Sequence, residues 1–222
     1  MRFVEECIQE SMPIWKACLE TDFLKGIADG SLSEECFKGY IVEDSLYLRE
    51  YVKVFAWGMI HTKTMDEIRM YYSLLSFVNE SEDATRLYYI KRYELNDETI
   101  QTLPLRKENQ DYVNTMIEVA QNGSGAPECM MACLPCMLSY GWIFRELLKT
   151  HPKVKETPFG RLVVDYAGDG YDTLCKEWIT FANEVCEALT DEQKKHCKAI
   201  FYKCSVHEYH FWEMSAKPRL DV

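Results

Sequence analysis

Apolar residues recur at spacings of three and four along almost the whole of this chain, and β-branched runs are few. That periodicity commits the chain to α-helices. No alternating stretch reaches the length of a strand, and Leu162-Val163-Val164 is too short to count as one. The sequence holds no GxGxxG, no GxxxxGK[ST] and no internal repeat. Connections are short and no linker interrupts them, so the 222 residues read as one all-α helical bundle spanning residues 1–222. Such a bundle builds its sites from side chains on facing helices, and acids and thiols far apart in sequence can meet in one pocket.

The local signals predict the helices in turn. A first helix covers Val4 to Leu19, with Pro13 marking a kink or an early break. A short second helix ends at Gly30. Ser33 caps a stronger one, with Glu34 and Glu35 in its first turn, that runs to about Met59. Lys63 to Tyr93 reads as a long helix, capped at Thr64 and interrupted near Asn79. Pro104 sits in the first turn of a helix reaching about Ala120. Gln121 to Glu128 (QNGSGAPE) is the clearest loop, and its Pro127 opens a helix carrying Cys129 to Leu148. A short helix follows near Phe159 to Tyr166, then AGDGY as a turn, a helix from Tyr171 to Leu189, and a last helix started by Thr190-Asp191-Glu192-Gln193. The last four residues or so are expected to be loose.

Charge and cysteine content narrow the function classes. The formal net charge is -11, from 25 Lys and Arg against 36 Asp and Glu. Such a surface repels nucleic acid and anionic membrane, and the KPR near Lys217 is too short and too terminal to change this. No window approaches 18 consecutive apolar residues, so no membrane span is expected. Ten cysteines would suggest disulfides in a short secreted chain. The start, MRFVEECIQE, puts acids where a signal peptide needs basic and then apolar residues. The expected setting is a reducing cytoplasm, with most thiols acting as small apolar core residues.

One segment carries chemistry. Cys129 to Tyr140 reads CMMACLPCMLSY, with Tyr140 one helical turn after Cys136. Cys129-x3-Cys133-x2-Cys136 has the spacing of a radical iron–sulfur site. A helical backbone is poor at wrapping three thiolates around one centre, and the strands of the usual barrel are missing. Cys133-Leu134-Pro135-Cys136 resembles a redox CxxC pair but lacks a preceding βαβ unit. His207-Glu208-Tyr209-His210 is not HExxH, and Glu-x-x-His pairs are too few for a di-iron bundle, so no metal and no cofactor are expected.

Three residues stand out as a set. Cys136 is the best nucleophile, because a thiolate attacks electron-poor carbon well. No histidine pairs with it in the manner of a protease. Glu208 shares a helix face with Phe201, Cys204 and Trp212. It is either a rim glutamate or a buried acid whose raised pKa suits proton transfer. Asp44 lies on a stripe with Ile41, Leu48 and Tyr51, beside Tyr47. It is either a bundle-edge acid or a carboxylate that accepts hydrogen bonds from a ligand amine or ring donor. Tyr47, Tyr112, Tyr140 and Tyr166 supply flat walls for an aromatic ligand, although most of the 14 tyrosines are expected to be packing residues.

These residues resemble those of the TenA family (thiaminase II, aminopyrimidine aminohydrolase). The resemblance rests on Asp44 in YIVEDSLYL, Tyr112, LPCMLSYGW from Leu134 to Trp142, Tyr166, and Glu208 in HEYHFWEM, and it covers nearly the whole chain. It implies an all-α, heme-oxygenase-like helical bundle without heme, assembled as a homotetramer. The implied reaction is hydrolysis of 4-amino-5-aminomethyl-2-methylpyrimidine to the hydroxymethyl compound and ammonia, with thiamine cleavage as a related activity, in thiamine salvage. The implied partner is thus a small pyrimidine or thiamine. The resemblance further implies that Cys136 adds to C6 of the pyrimidine and that Glu208 shuttles protons at the ring. Asp44 would hold the 4-amino group and ring nitrogen. Tyr47 and Tyr140 would line the ring, with Tyr112 and Tyr166 near the reacting centre. One branch of the family lacks the central cysteine; this chain keeps it. Cys129 and Cys133 are outside the motif and are expected to be inert. The competing readings are a non-catalytic pyrimidine-binding or regulatory bundle, and a redox or metal helical domain.

Overall fold

The computed structural model describes residues 2–75, 84–123 and 125–221. Among them are eleven α-helices and no strand. The helices are α1 (Phe3–Cys18), α2 (Asp22–Asp29), α3 (Glu34–His61), α4 (Met65–Leu74), α5 (Ala84–Arg92), α6 (Asp97–Ile100), α7 (Lys107–Asn122), α8 (Ala126–Thr150), α9 (Gly160–Ala167), α10 (Asp169–Glu187) and α11 (Asp191–Ser215). A 3-10 turn, Pro152–Glu156, separates α8 from α9.

α8 is the central post. It is the most apolar of the long helices, and α11, α3, α9 and α10 all pack against it. A helix that is apolar nearly all round belongs in the middle of a bundle. α7 fills the gap between α3 and α11. The core formed by these helices is dense in rings, with Trp15, Trp212, Tyr40, Tyr112, Phe37, Phe144 and Phe201 all fully buried. Close approach of α10 to α8 depends on Gly141, where a Cβ would stand 3.2 Å from the Cys175 sulfur and 3.3 Å from the Tyr171 ring.

The start signals read from the sequence are real caps. Ser33 Oγ accepts from Cys36 N at 3.2 Å. Thr64 with Glu67 and Thr190 with Gln193 form complete capping boxes. α2 ends at Gly30 in the left-handed conformation, φ +79°, which a glycine adopts without a steric cost.

Several boundaries differ from expectation. α1 continues through Pro13, which sits on the exposed face, where the carbonyl it leaves unbonded can turn to water. Pro104 precedes its helix rather than opening it; α7 starts at Lys107, and the Pro104 carbonyl is used elsewhere. The Gln121–Glu128 loop is shorter than its composition suggests, because α7 runs to Asn122 and α8 begins at Ala126. AGDGY is not a turn over its length: only Gly168 breaks the helix, and α10 begins at Asp169. Residues 76–83, including the expected interruption near Asn79, lie outside the described residues. The expected loose C-terminus is corrected at Arg219; Leu220 is exposed, and Val222 lies outside the described residues. Arg219 is buried at 6% exposure, because its guanidinium is drawn to a buried carboxylate on α3.

Candidate active site

Four helices deliver the candidate residues: Asp44 and Tyr47 from α3, Tyr112 from α7, Cys136 and Tyr140 from α8, and Glu208 from α11. Tyr166 comes from α9. The inner stripe of α3 is Tyr40, Asp44, Tyr47 and Tyr51, at helical spacings of four, three and four. Leu48, which the sequence pattern placed on that stripe, is only half-buried, because it lies round the helix from it.

Cys136 is half-buried, whereas the other nine cysteines are buried. Its thiol is nonetheless enclosed by protein. Two tyrosine hydroxyls pin α8 on either side of it. Tyr51 donates to the Cys133 carbonyl at 2.9 Å and Tyr171 to the Met137 carbonyl at 3.1 Å. These bonds fix the segment around Pro135, which has no N–H of its own to give the helix.

Glu208 is buried at 2% exposure and lies within hydrogen-bond reach of both the Cys136 thiol and the Tyr112 hydroxyl. Burial lifts its pKa to about 8, and the charge of Asp44 adds to the lift; the contacts to Tyr112 and Cys136 oppose it. At neutral pH, Glu208 is therefore mostly a neutral acid. The Cys136 thiol is raised well above its ordinary value, first by burial and then by the negative charges of Glu208 and Asp44, with Tyr47 acting the other way. In the resting protein this pair holds two protons and no charge.

The walls are aromatic. Tyr47 and Tyr112 lie with centroids 5.1 Å apart, and His207 stacks on Tyr112 at 5.2 Å and 9°. Burial drives the His207 pKa down to about 4, so it stacks as a neutral ring while its Nε2 meets Thr115 Oγ1 at 3.0 Å. On the other side Tyr140 packs against Trp212 (4.8 Å) and Tyr166 (5.2 Å, edge-on). Tyr166 also meets Tyr171 edge-on at 4.9 Å. The hydroxyls of Tyr40 and Tyr112 and the indole N–H of Trp212 are buried without a well-formed hydrogen bond among the described residues. Buried polar groups without well-formed partners are where a bound polar molecule would complete the hydrogen bonding. Among the described residues no group of three or more His, Cys, Asp and Glu is arranged to hold a metal ion. None of the helices described is long and apolar enough to cross a membrane.

The structure therefore brings Cys136, Glu208, Asp44, Tyr47, Tyr112 and Tyr140 together, with Tyr166 packed against Tyr140. Sequence reasoning missed Tyr40, which faces Asp44 and lies within reach of Tyr140. The signal was available: Tyr40 is one turn before Asp44, as Tyr47 is one turn after it. It also missed Tyr51 and Tyr171, whose role is to hold backbone and which no motif distinguishes from core tyrosines.

Fold and site define an all-helical protein with a buried, ring-walled cluster that sets a thiol near two carboxylates. The TENA/THI-4/PQQC family profile matches residues 8–217, and the chain belongs to that family. An aminopyrimidine aminohydrolase of Halalkalibacterium halodurans is 29% identical over 221 residues, covering 99% of this chain and 98% of its own. An aminopyrimidine aminohydrolase of Helicobacter pylori is 27% identical, covering 97% and 99%. Among solved structures, a TenA family transcription regulator from a Silicibacter species superposes with a TM-score of 0.87 at 21% identity, covering 98% of this chain and 97% of its own. A TenA homologue from Pyrococcus furiosus gives 0.84 at 17%, covering 96% and 99%. The fold is the all-α, heme-oxygenase-like bundle expected of the family.

Proposed function

We propose that this protein hydrolyses 4-amino-5-aminomethyl-2-methylpyrimidine to the hydroxymethyl pyrimidine and ammonia, with cleavage of thiamine as a related activity, in salvage of thiamine breakdown products. The observation that carries this reading is the meeting of Cys136, Glu208 and Asp44, from three helices, in one buried cluster. The names of the relatives agree with it.

The protonation states set the order of events. Both Cys136 and Glu208 start neutral, so the thiol needs a proton acceptor as it attacks. Glu208 meets that need by giving its proton to a ring nitrogen while taking the one on sulfur. The new C–S bond at C6 and the new N–H bond form together, and no isolated charge is left in a buried site. Asp44 holds the 4-amino group and the adjacent ring nitrogen, which fixes C6 over the sulfur. The electron-rich adduct then expels the amine as ammonia from the exocyclic methylene, with Glu208 giving it the proton taken from sulfur. Water adds to that carbon and returns a proton to Glu208, and the sulfur leaves as the ring regains its double bond, the ring N–H proton passing back through Glu208 to restore the thiol. Tyr47 and Tyr140 stack along the ring, and the hydroxyls of Tyr40 and Tyr112 have the capacity to bond polar atoms of the ligand. A homotetramer belongs to the same reading. The exposed Ile60, Met65 and Tyr72, at the end of α3 and on α4, offer apolar surface for it, and sedimentation of the purified protein tests the assembly.

The decisive experiment incubates the protein with the aminomethylpyrimidine and follows ammonia together with the hydroxymethyl product. Stoichiometric appearance of both is expected, with kcat/KM above that for thiamine. Tight binding of the pyrimidine with no ammonia above the blank would replace this reading with the binding-protein one.

A further inference from the structure

Beside Asp44 on α3 lies a second acid, Glu43, with no exposed surface at all. It faces away from the pocket, since successive helix residues turn by about 100°. Four groups converge on its carboxylate. Arg106 offers its backbone N–H at 3.3 Å and its Nε at 3.2 Å. Asn109 Nδ2 reaches it at 2.8 Å and also bonds the Glu43 carbonyl at 2.9 Å. Arg219 Nη1 makes a direct ion pair with it. Arg219 is itself held, by the Pro104 carbonyl at 2.7 Å and by Asp221 at 2.7 Å.

The chain beyond α11 is laid along this face of α3 residue by residue. Cys36 Sγ donates to the Ala216 carbonyl at 3.1 Å, and Arg106 Nη1 to the Lys217 carbonyl at 2.9 Å. Gly39 sits between Cys36 and Glu43, where a Cβ would meet Arg219 Cβ at 3.0 Å and its backbone nitrogen at 3.1 Å. Cys36, Gly39 and Glu43 follow the helical repeat, so the contact is a continuous seam. The helices joined at Glu43 are those that carry the site. Asp44 is its neighbour on α3, Tyr112 is one turn beyond Asn109 on α7, and the seam anchors the end of α11, which carries Glu208.

We propose that Glu43 is a positioning residue of this site and that Arg219, on the C-terminal segment, is the clasp that holds it, setting the rotation of α3 and the relative placement of Asp44, Tyr112 and Glu208. The proposal rests on the function proposed above for its kinetic readout, but not for its geometric one. With Arg219 removed, Glu43 keeps Arg106 and Asn109, yet the tie to the end of α11 is lost. Asp44 then presents to the pyrimidine at a relaxed angle, and the thiol loses its fixed relation to Glu208.

The test compares Arg219→Ala, Arg219→Lys and Asp221→Ala with the unaltered protein, at a temperature where circular dichroism shows all four folded. KM for the aminomethylpyrimidine and the rate of Cys136 alkylation by iodoacetamide, read by peptide mass, are measured side by side. Arg219→Ala is expected to raise KM at least tenfold and to change the alkylation rate at least fivefold, with a smaller change in kcat. Arg219→Lys restores part of both, because it keeps the charge and loses the two-pronged geometry. Asp221→Ala only frees the guanidinium at an exposed position, and shifts both readouts twofold to fivefold in the same direction; it serves where Arg219→Ala does not fold. If the unaltered protein releases no ammonia but Cys136 alkylation still follows this order, the clasp stands and the proposed reaction falls. If KM and alkylation stay within twofold in every folded variant while melting temperatures drop, the clasp merely fastens the tail and the proposal is overturned.

Discussion

Two glutamates in this molecule are buried to nearly the same degree, Glu208 at 2% exposure and Glu43 at 0%. Glu43 has two guanidinium groups and an amide on it. The groups acting on Glu208 are a thiol, a phenol and the charge of another acid. Desolvation penalises the charged form of both, and only Glu43 has cations to offset the penalty. Glu43 is thereby an ion-paired anchor shared by α3, α7 and the C-terminal segment; Glu208, with no cation on it, is in the proposed reading the proton carrier beside the nucleophile. Depth alone does not tell a structural acid from a reactive one. The company of cations does.

The contrast is tested most severely at the pocket. Cys136→Ser is expected to lower kcat by about 10³-fold or more, since a hydroxyl is a far weaker nucleophile than a thiol at this pH, while the melting temperature stays within a few degrees. A near-normal rate would remove the thiol from the mechanism. Glu208→Gln is expected to cost about 10²- to 10⁴-fold in kcat/KM. The native acid works only while protonated, so wild-type kcat/KM should fall as pH rises through about 8. Stability follows the same group with a definite sign. Unfolded, the carboxyl titrates near 4.5; folded, near 8. Between those values the folded state holds a proton that the unfolded state has lost, so stability falls as pH rises across that window. Above pH 8 the cost reaches on the order of 5 kcal/mol. The glutamine variant carries no such cost, and should melt higher than the parent at pH 9.

The same substitution at the other glutamate should act in the opposite direction. Glu43→Gln leaves Arg106 and Arg219 against a neutral amide, and is expected to destabilise the protein by about 3–5 kcal/mol at pH 7 in denaturant titrations. Two Glu→Gln changes of equal burial that shift stability with the same sign at pH 9 would dissolve the distinction drawn between them.

Sequence patterning revealed the helices and the pocket acids but not the clasp, for physical reasons. Caps such as Ser33, Thr64 and Thr190 are local hydrogen bonds, and local chemistry is written in neighbouring letters. Asp44 and Glu208 are polar interruptions of apolar faces, and that too is visible along one helix. The resemblance to a known family then joined them to Cys136. The tail was misread because Lys217-Pro218-Arg219 is polar, short and terminal, which ordinarily means solvent. Its order comes from Glu43, 176 positions earlier, and no periodicity reports a pairing over that distance. AGDGY failed for a smaller reason. Glycine-rich composition suggests a turn, yet Gly168 alone makes the break, and the acids Asp169 and Asp172 favour the first turn of α10.

The smallest expected effect lies within the motif itself. Cys133 is one helical turn before Cys136 and is fully buried, and burial raises its thiol well above the ordinary value. A thiol in that state supplies almost no thiolate, and its contribution to the site runs through its backbone carbonyl, which Tyr51 holds. Cys133→Ala keeps that carbonyl and removes only the sulfur. It should leave kcat/KM within about twofold and cost roughly 1 kcal/mol of stability. Iodoacetamide should find Cys136 before Cys133 in the native protein, because Cys136 is half-buried and Cys133 has no exposed surface. A large loss of turnover in Cys133→Ala, with Cys136 still alkylated at the parent rate, would mean that the second sulfur takes part in the chemistry, and the division between a reactive thiol and its inert neighbour would have to be redrawn.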